Sequence, residues 1–264
     1  MTARWQTQEG RSLSEQSRRA LANAAQAKQE VRERIWALLE RERAVKAPGV
    51  EGRIPNFVGS EAAADQLALL PEWQAAGVLK ANPDKAQLPV RARALDNGKL
   101  LYMAVPRLAD ELPFFLLDPK VLSAPPLEAA SSRGAFTAAR KAAVDELQPV
   151  DLVICGSVAV NRQGVRVGKG GGFSDVEVAL LVEAGLLGPG TTIATTVHSL
   201  QVVDDPLPET EHDFSVDLIV TPDELIPCGS PRRPRGIIWE HLDEEKIAAI
   251  PVLGAMAARR FGSA

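Results

Sequence analysis

The stretch whose residue types and spacing most directly suggest chemistry is GVRVGKGGGFSDVEVALLVEAG, residues 164–185. Gly168, Gly170, Gly171 and Gly172 surround one side chain, Lys169, between an apolar strand pattern and an amphipathic helix pattern. Glycines let backbone N–H groups approach an anion closely, and the start of the next helix adds unsatisfied donors and the positive end of its dipole. Such a loop suits phosphate, with Lys169 as a mobile cation; a ligand-free strand-to-helix turn satisfies the same spacing. Ser174 and Glu177 stand at capping-box spacing, which predicts a helix beginning just after the glycines. Two familiar phosphate motifs are absent. A Walker loop needs G-x-x-x-x-G-K-[ST], whereas Gly170 follows Lys169, and a dinucleotide fingerprint needs glycine where Phe173 stands.

Other chemistries find little support. Ser157 has Cys155 and Ala159 where a nucleophile elbow needs glycines, so the serine-hydrolase reading fails. Cys155 and Cys228 have no metal-like spacing and read as buried, reduced thiols. His198 and His241 read as hydrogen-bonded structural residues, while His212, next to Asp213, is the better candidate for a site.

Positioning the loop falls to a regular alternation of elements. Residues from Ser14 to about Lys46 predict one long helix, with Ala20, Ala24, Ala27, Val31, Ile35, Leu38 and Leu39 at three-to-four spacing. Strands are expected at 54–58, 77–80, 100–105, 114–117, 151–160, 191–197, 216–221 and 236–239, and further helices at 60–75, 134–147, 174–186 and 243–250. Runs such as DLVICGSVAV and VDLIV are almost continuously apolar, as in strands buried on both faces of a parallel sheet covered by helices. An α/β domain spanning residues 1–264 follows, with a helical segment at 1–47 and a C-terminal extension at 227–264.

Composition narrows the class further. The 264 residues are 45% apolar and 24% charged, ordinary for a folded soluble chain. Residues 1–47 carry ten Lys/Arg against six Asp/Glu although the whole chain is at −4, so positive charge is concentrated at the front. An aromatic share of 5% and the acidic balance argue against a nucleic-acid coat, even with Arg232, Arg233 and Arg235 in a Pro/Arg-rich loop. An RNA-binding role would need an aromatic-basic motif that the sequence lacks. No secretory signal or run long enough to span a membrane is found, and a cytoplasmic location is the default expectation.

A linked set of segments resembles the 5-formyltetrahydrofolate cyclo-ligase family. It comprises Lys28-x-x-Val31-Arg32, then Val105-Pro106-Arg107, then DLVICGSVAVNRQGVRVGKGGGFSD, and finally Gln201, Leu207-Pro208, His212-Asp213 and VDLIVTPDELI, in the family's order. The resemblance implies a three-layer α/β/α sandwich of the NagB/RpiA/CoA-transferase type with a mostly parallel sheet. It further implies ATP- and Mg²⁺-dependent closure of 5-formyltetrahydrofolate to 5,10-methenyltetrahydrofolate. Carried over position by position, Lys28, Arg32 and Arg107 would reach nucleotide phosphates. Gly168 to Gly172 would cradle them with Lys169, beside Phe173, and Asp175 would hold Mg²⁺. Lys169 and Arg107 would act on the moving phosphoryl group. Glu61, Gln201, His212 and Asp213 would face the substrate.

Two departures keep a second reading open. The family's paired aromatics are replaced by Phe173-Ser174, and the segment around Glu61, PNFVGSEAA, differs from the family's pterin-binding stretch. A paralogue that binds a nucleotide or another phosphorylated metabolite, with altered or no folate activity, fits these changes equally.

Overall fold

The computed structural model describes residues 13–46, 49–229 and 231–262. In chain order the strands are β1 (Val78–Ala81), β2 (Leu100–Ala104), β3 (Phe114–Leu117), β4 (Arg140–Ala142), β5 (Leu152–Cys155), β6 (Ala159–Asn161), β7 (Arg166–Val167), β8 (Thr192–Thr196), β9 (Val202–Val203), β10 (Leu218–Val220) and β11 (Leu225–Pro227). The helices are α1 (Glu15–Arg41), α2 (Ser60–Ala68), α3 (Pro71–Ala75), α4 (Leu88–Asp96), α5 (Pro126–Ala129), α6 (Ser132–Ala138), α7 (Phe173–Glu183), α8 (Glu244–Ala249) and α9 (Pro251–Phe261).

Eight strands form the central sheet in the order β11-β10-β8-β5-β1-β2-β3-β4. The five inner strands from β10 to β2 are mutually parallel, and β11, β3 and β4 attach antiparallel at the margins. Alternation along the parallel strands explains their unbroken apolar runs. Leu152 and Ile154 enter the core on one face of the sheet with Leu39, Leu67 and Val90 of α1, α2 and α4. Val153 and Cys155 enter the opposite core with Leu181 of α7 and Leu253 of α9. The architecture is therefore the expected three-layer α/β/α sandwich on a mostly parallel sheet. A smaller sheet, β7-β6-β9, carries the glycine loop out from the central layer.

Helix α1 shows how local sequence sets an element. The Ser14 side chain accepts from the N–H of Ser17 at 3.0 Å, and acidic Glu15 and basic Arg41 complement the two ends of the dipole. Only its second half packs, through Ile35, Trp36 and Leu39, and that same face buries Arg32. Burial of each such apolar side chain contributes on the order of 1.5–3 kcal/mol.

The observed elements depart from expectation at definable points. Pro71 divides the helix expected at 60–75 into α2 and α3, because proline starts a new helix more readily than it continues one. The run 151–160 turns between β5 and β6, which lie in different sheets. The helix expected at 134–147 ends at Ala138 and the chain pairs with β3 as β4. Residues 236–239 form no strand but lead into a short helical turn at Trp239–His241. The capping box also fails: Gly172 caps α7 with φ 64°, and Ser174 and Glu177 both face the sheet instead.

The segment expected as a C-terminal extension is integral to the second core, where Trp239, Ile250, Leu253 and Ala257 are buried beside α7. Both thiols are buried, and burial pushes them up, Cys228 to about 11, which leaves them protonated near neutrality. Among the described residues no helix is long and apolar enough to cross a membrane.

Candidate functional site

The glycine loop leaves β7 and enters α7 beside the carboxyl ends of the parallel strands. Gly170 and Gly172 adopt positive φ, 102° and 64°, a region in which a side chain is strained. Those conformations let the loop turn its carbonyls outward. Arg32 Nε donates to the Gly168 carbonyl at 2.7 Å, and Lys246 Nζ donates to the Gly171 carbonyl from the other side. Among the described residues, the backbone N–H groups from Gly170 to Asp175 donate to no other protein group. A row of free donors at a helix N-terminus, flanked by cations, is receptive to an anion.

Cations surround this row, and most are neutralised locally. Lys28 of α1 pairs with Asp213 at 2.7 and 2.5 Å. Asp213 also accepts from the Thr210 N–H at 2.5 Å and its hydroxyl at 2.8 Å. Burial alone raises the pKa of Asp213, but the Lys28 charge and the Thr210 bonds outweigh it and hold the carboxyl below its ordinary range. Lys169 reaches away from the loop to Asp84 at 2.6 Å. Among the described residues Arg32 has no carboxylate partner; burial weakens its hold on its proton while the nearby Asp213 and Asp175 charges oppose that effect.

Asp175 sits in the first turn of α7 and accepts from Arg166 at 2.5 Å through Oδ1. Arg166 is buried, with its guanidinium 3.7 Å from the centroid of the Phe214 ring. Burial works against the charge of Arg166, but the charge of Asp175, together with the fields of Cys155, Asp213 and Glu177, outweighs it and holds the pKa of the guanidinium above its ordinary value. Asp175 Oδ2 accepts no bond from a described residue, and Asp175 lines a cleft of about 220 Å³ with Gly170 to Gly172. Mg²⁺ is commonly held by one or two carboxylates plus substrate phosphates, so a single carboxylate facing free N–H donors fits such an ion. Among the described residues no group of three or more His, Cys, Asp or Glu could hold a metal. An ion held by Asp175 would take its remaining oxygens from water and from a phosphate ligand.

On the other side of the loop lies a trough. A cavity of about 190 Å³ joins Lys169 and Asp84 to Lys46 and Asn56. It shares Lys46, Asn56, Pro83 and Lys85 with a wider groove of about 760 Å³ that contains Glu61. Glu61 pairs with Lys46 at 2.7 Å, and that bond lowers its pKa.

The structure thus brings together Lys28, Arg32, Gly168 to Gly172, Phe173, Asp175, His212 and Asp213, and places Glu61 across the trough. Gln201 stands apart: it is buried, donates to the Ser157 and Val158 carbonyls at 2.8 and 3.1 Å, and accepts from the His198 N–H. Its amide is committed to backbone. Arg107 is exposed at the end of β2, with φ 60°, and makes no hydrogen bond or ion pair to a described residue. His212 lines the 220 Å³ cleft and shares a 2.9 Å Nδ1–Nδ1 hydrogen bond with His241.

Four contributors were not expected from the sequence. Arg166 lies in β7 with Val165 and Val167 as chain neighbours, so a charge in an apolar run was the available signal. Lys80 near the end of β1 carried the same signal; it pairs with Glu177 in full burial, and Asn82 donates to Glu177 at 3.1 Å and to Ser174 at 3.1 Å. Asp84 and Lys246 gave no local signal.

A parallel α/β sandwich with a carbonyl-clamped glycine loop and free donors at the strand ends defines a class of anion-receptive α/β protein. The model of the 5-formyltetrahydrofolate cyclo-ligase family matches residues 24–222, and the chain belongs to that family. Methenyltetrahydrofolate synthase domain-containing proteins of Mus musculus and Bos taurus are 39% and 37% identical to it over 236 and 237 residues. The alignments cover 88% of this chain but 63% and 62% of those relatives, so it spans less than two thirds of their length. The NMR structure of Aquifex aeolicus 5,10-methenyltetrahydrofolate synthetase superposes with a TM-score of 0.50 at 22% identity, over 79% of this chain and 94% of that one. That likeness bears on the fold.

Proposed function

We propose that the chain is a cyclo-ligase that uses ATP to close 5-formyltetrahydrofolate to 5,10-methenyltetrahydrofolate, releasing ADP and phosphate. The observation that carries this reading is the row of free N–H groups from Gly170 to Asp175 between Arg32 and Asp175. Transfer of a phosphoryl group demands positioning and charge stabilisation more than covalent catalysis, and the loop supplies both.

In this reading the formyl oxygen on N5 takes the γ-phosphoryl group of ATP, N10 attacks the activated carbon, and phosphate leaves. The loop donors hold the phosphates in register, and Arg32 contributes a fixed cation that costs no reorganisation at the moment of reaction. Asp175 would hold a Mg²⁺ ion through its free Oδ2, and such an ion would supply positive charge to the phosphates. Arg166 holds Asp175 in place through Oδ1. Lys169, exposed on the loop, would approach the transferring group by leaving Asp84, and Arg107 would act there as the family resemblance implies. The trough from Lys169 to Glu61 is the place for the folate.

A second reading, nucleotide binding without folate turnover, draws on Ser174. Where the family has an aromatic ring, this hydroxyl bonds Asn82 at 3.1 Å and so lends no ring to a substrate. The two readings separate in one assay, with purified protein, ATP, Mg²⁺ and 5-formyltetrahydrofolate followed by the absorbance of the methenyl product. Product that falls about a hundredfold in Arg32→Ala supports the cyclo-ligase. No product, with ATP still raising the unfolding temperature in a concentration-dependent way, supports the second reading. Neither product nor ATP-dependent stabilisation refutes both.

A further inference from the structure

The family model ends at residue 222, yet one wall of the 220 Å³ cleft comes from beyond it. Ile237, Ile238 and Leu242 face Val176 and Ala179 of α7 across that cleft, and Lys246 stands at its loop end. This wall is fixed rather than draped. Trp239 and Ile250 are buried in the core, the Ile237 N–H donates to Glu183 at 3.0 Å, and His241 bonds His212.

Lys246 has an uncommon environment. Its ammonium lies 3.8 Å from the centroid of the Phe173 ring and donates to the Gly171 carbonyl. It is half-buried, and no carboxylate lies within ion-pair distance among the described residues, whereas Lys28, Lys80, Arg166 and Lys169 each have one. Burial lowers its pKa, although the fields of Asp243 and Asp175 oppose this. Two cations without a carboxylate therefore flank the loop. Arg32 holds the Gly168 carbonyl from the first helix and Lys246 holds the Gly171 carbonyl from α8. An ammonium has three donors, and Lys246 spends one on that carbonyl.

We propose that residues 237–246 form a nucleotide-binding wall added to the family core, in which Ile238 and Leu242 seat the nucleoside and Lys246 binds a phosphate held on the glycine loop. The inference rests on the reading that this loop binds ATP. It assigns the ligand's two halves to two parts of one cleft: an apolar slot between α7 and the 237–242 strip for the base and sugar, and the loop end for the phosphates.

Calorimetric titration of the full chain with ATP, ADP and adenosine tests it, in the wild type and in Arg32→Ala, Lys246→Met, Lys246→Arg and Ile238→Glu. Loss of a charge-assisted phosphate contact is expected to weaken ATP about tenfold to a hundredfold in Lys246→Met, with adenosine unchanged and partial recovery in Lys246→Arg. Ile238→Glu should weaken adenosine and ATP by similar factors. Thermal unfolding of each variant checks that it folds; if Ile238→Glu does not, Ile238→Ala replaces it and should show the same joint loss at smaller size. If wild type binds ATP and Arg32→Ala weakens it, but Lys246→Met and the Ile238 variant leave affinity intact, the added wall is refuted while the loop reading stands. If the wild type does not bind ATP at all, the loop reading fails and the wall with it.

Discussion

The buried pair Lys80–Glu177 offers the sharpest test of how the site is held. Lys80 lies near the end of β1 in full burial, Glu177 lies one turn into α7, and their contact fastens the start of that helix to the sheet. Removing one partner strands the other charge in a low-dielectric core, which costs about 3–5 kcal/mol. A domain is stable by about 5–15 kcal/mol, so either Lys80→Met or Glu177→Met consumes a large part of the total. At roughly 2–4 °C per kcal/mol for a chain of this size, each single variant should unfold about 6–20 °C lower than wild type. The double variant behaves differently, because two unbranched apolar side chains of similar length replace a pair whose desolvation penalty rivals its attraction; it should return to within ~1 kcal/mol of wild type. Asn82 keeps Ser174 as a partner in that variant, so no amide is orphaned. Equilibrium urea denaturation of the four proteins gives the coupling energy directly. A double variant as unstable as the sum of the two singles would show that the pair does not act as a unit, and the reasoning would fall.

Two further expectations are quickly checked. Because Lys28 and Thr210 hold the carboxyl of Asp213 below its unfolded value, the stability it contributes is fully present above the ordinary carboxylate range and is lost as pH falls through the lowered folded value. Asp213→Asn should therefore flatten the acid limb of a stability–pH curve, and an unchanged limb would contradict the assignment. Gly164 turns the β6–β7 hairpin with φ 88°, its N–H donates to Asn161 and its carbonyl accepts from Val216 at 2.9 Å, and a Cβ there would collide with the Val216 carbonyl. Gly164→Ala should cost at least ~1–3 kcal/mol, measured by the same urea titration, and a neutral result would mean the hairpin can rearrange.

The layered fold was legible because its signals are local. Continuous apolar runs marked β5 and β10 as strands covered on both faces, and Ser14 marked the start of α1. The misses fell where tertiary partners decide. The α6–β4 boundary follows from pairing with β3 rather than from propensity, and Arg140 and Lys141 in β4 gave no apolar pattern to read. At α7 the sequence offered Ser174 and Glu177 as a cap, but a buried lysine on a distant strand competes for the glutamate, and burial of that ion pair outranks a surface cap.

The site divides in the same way. Every residue of the glycine loop was readable, because glycine spacing and the following helix lie within one short stretch. The direction of the loop's donors was not, since it depends on which cations capture its carbonyls. Arg32 lies 136 residues before the carbonyl it holds and Lys246 lies 75 residues after its own. Charge counts are blind to this. The basic front segment suggested that Lys28 and Arg32 act together on phosphate, yet Lys28 is neutralised by Asp213 while Arg32 has no carboxylate partner among the described residues. What makes the loop receptive is therefore not the number of cations near it but which of them are unspent, and the fold decides that by supplying an acid to each of the others.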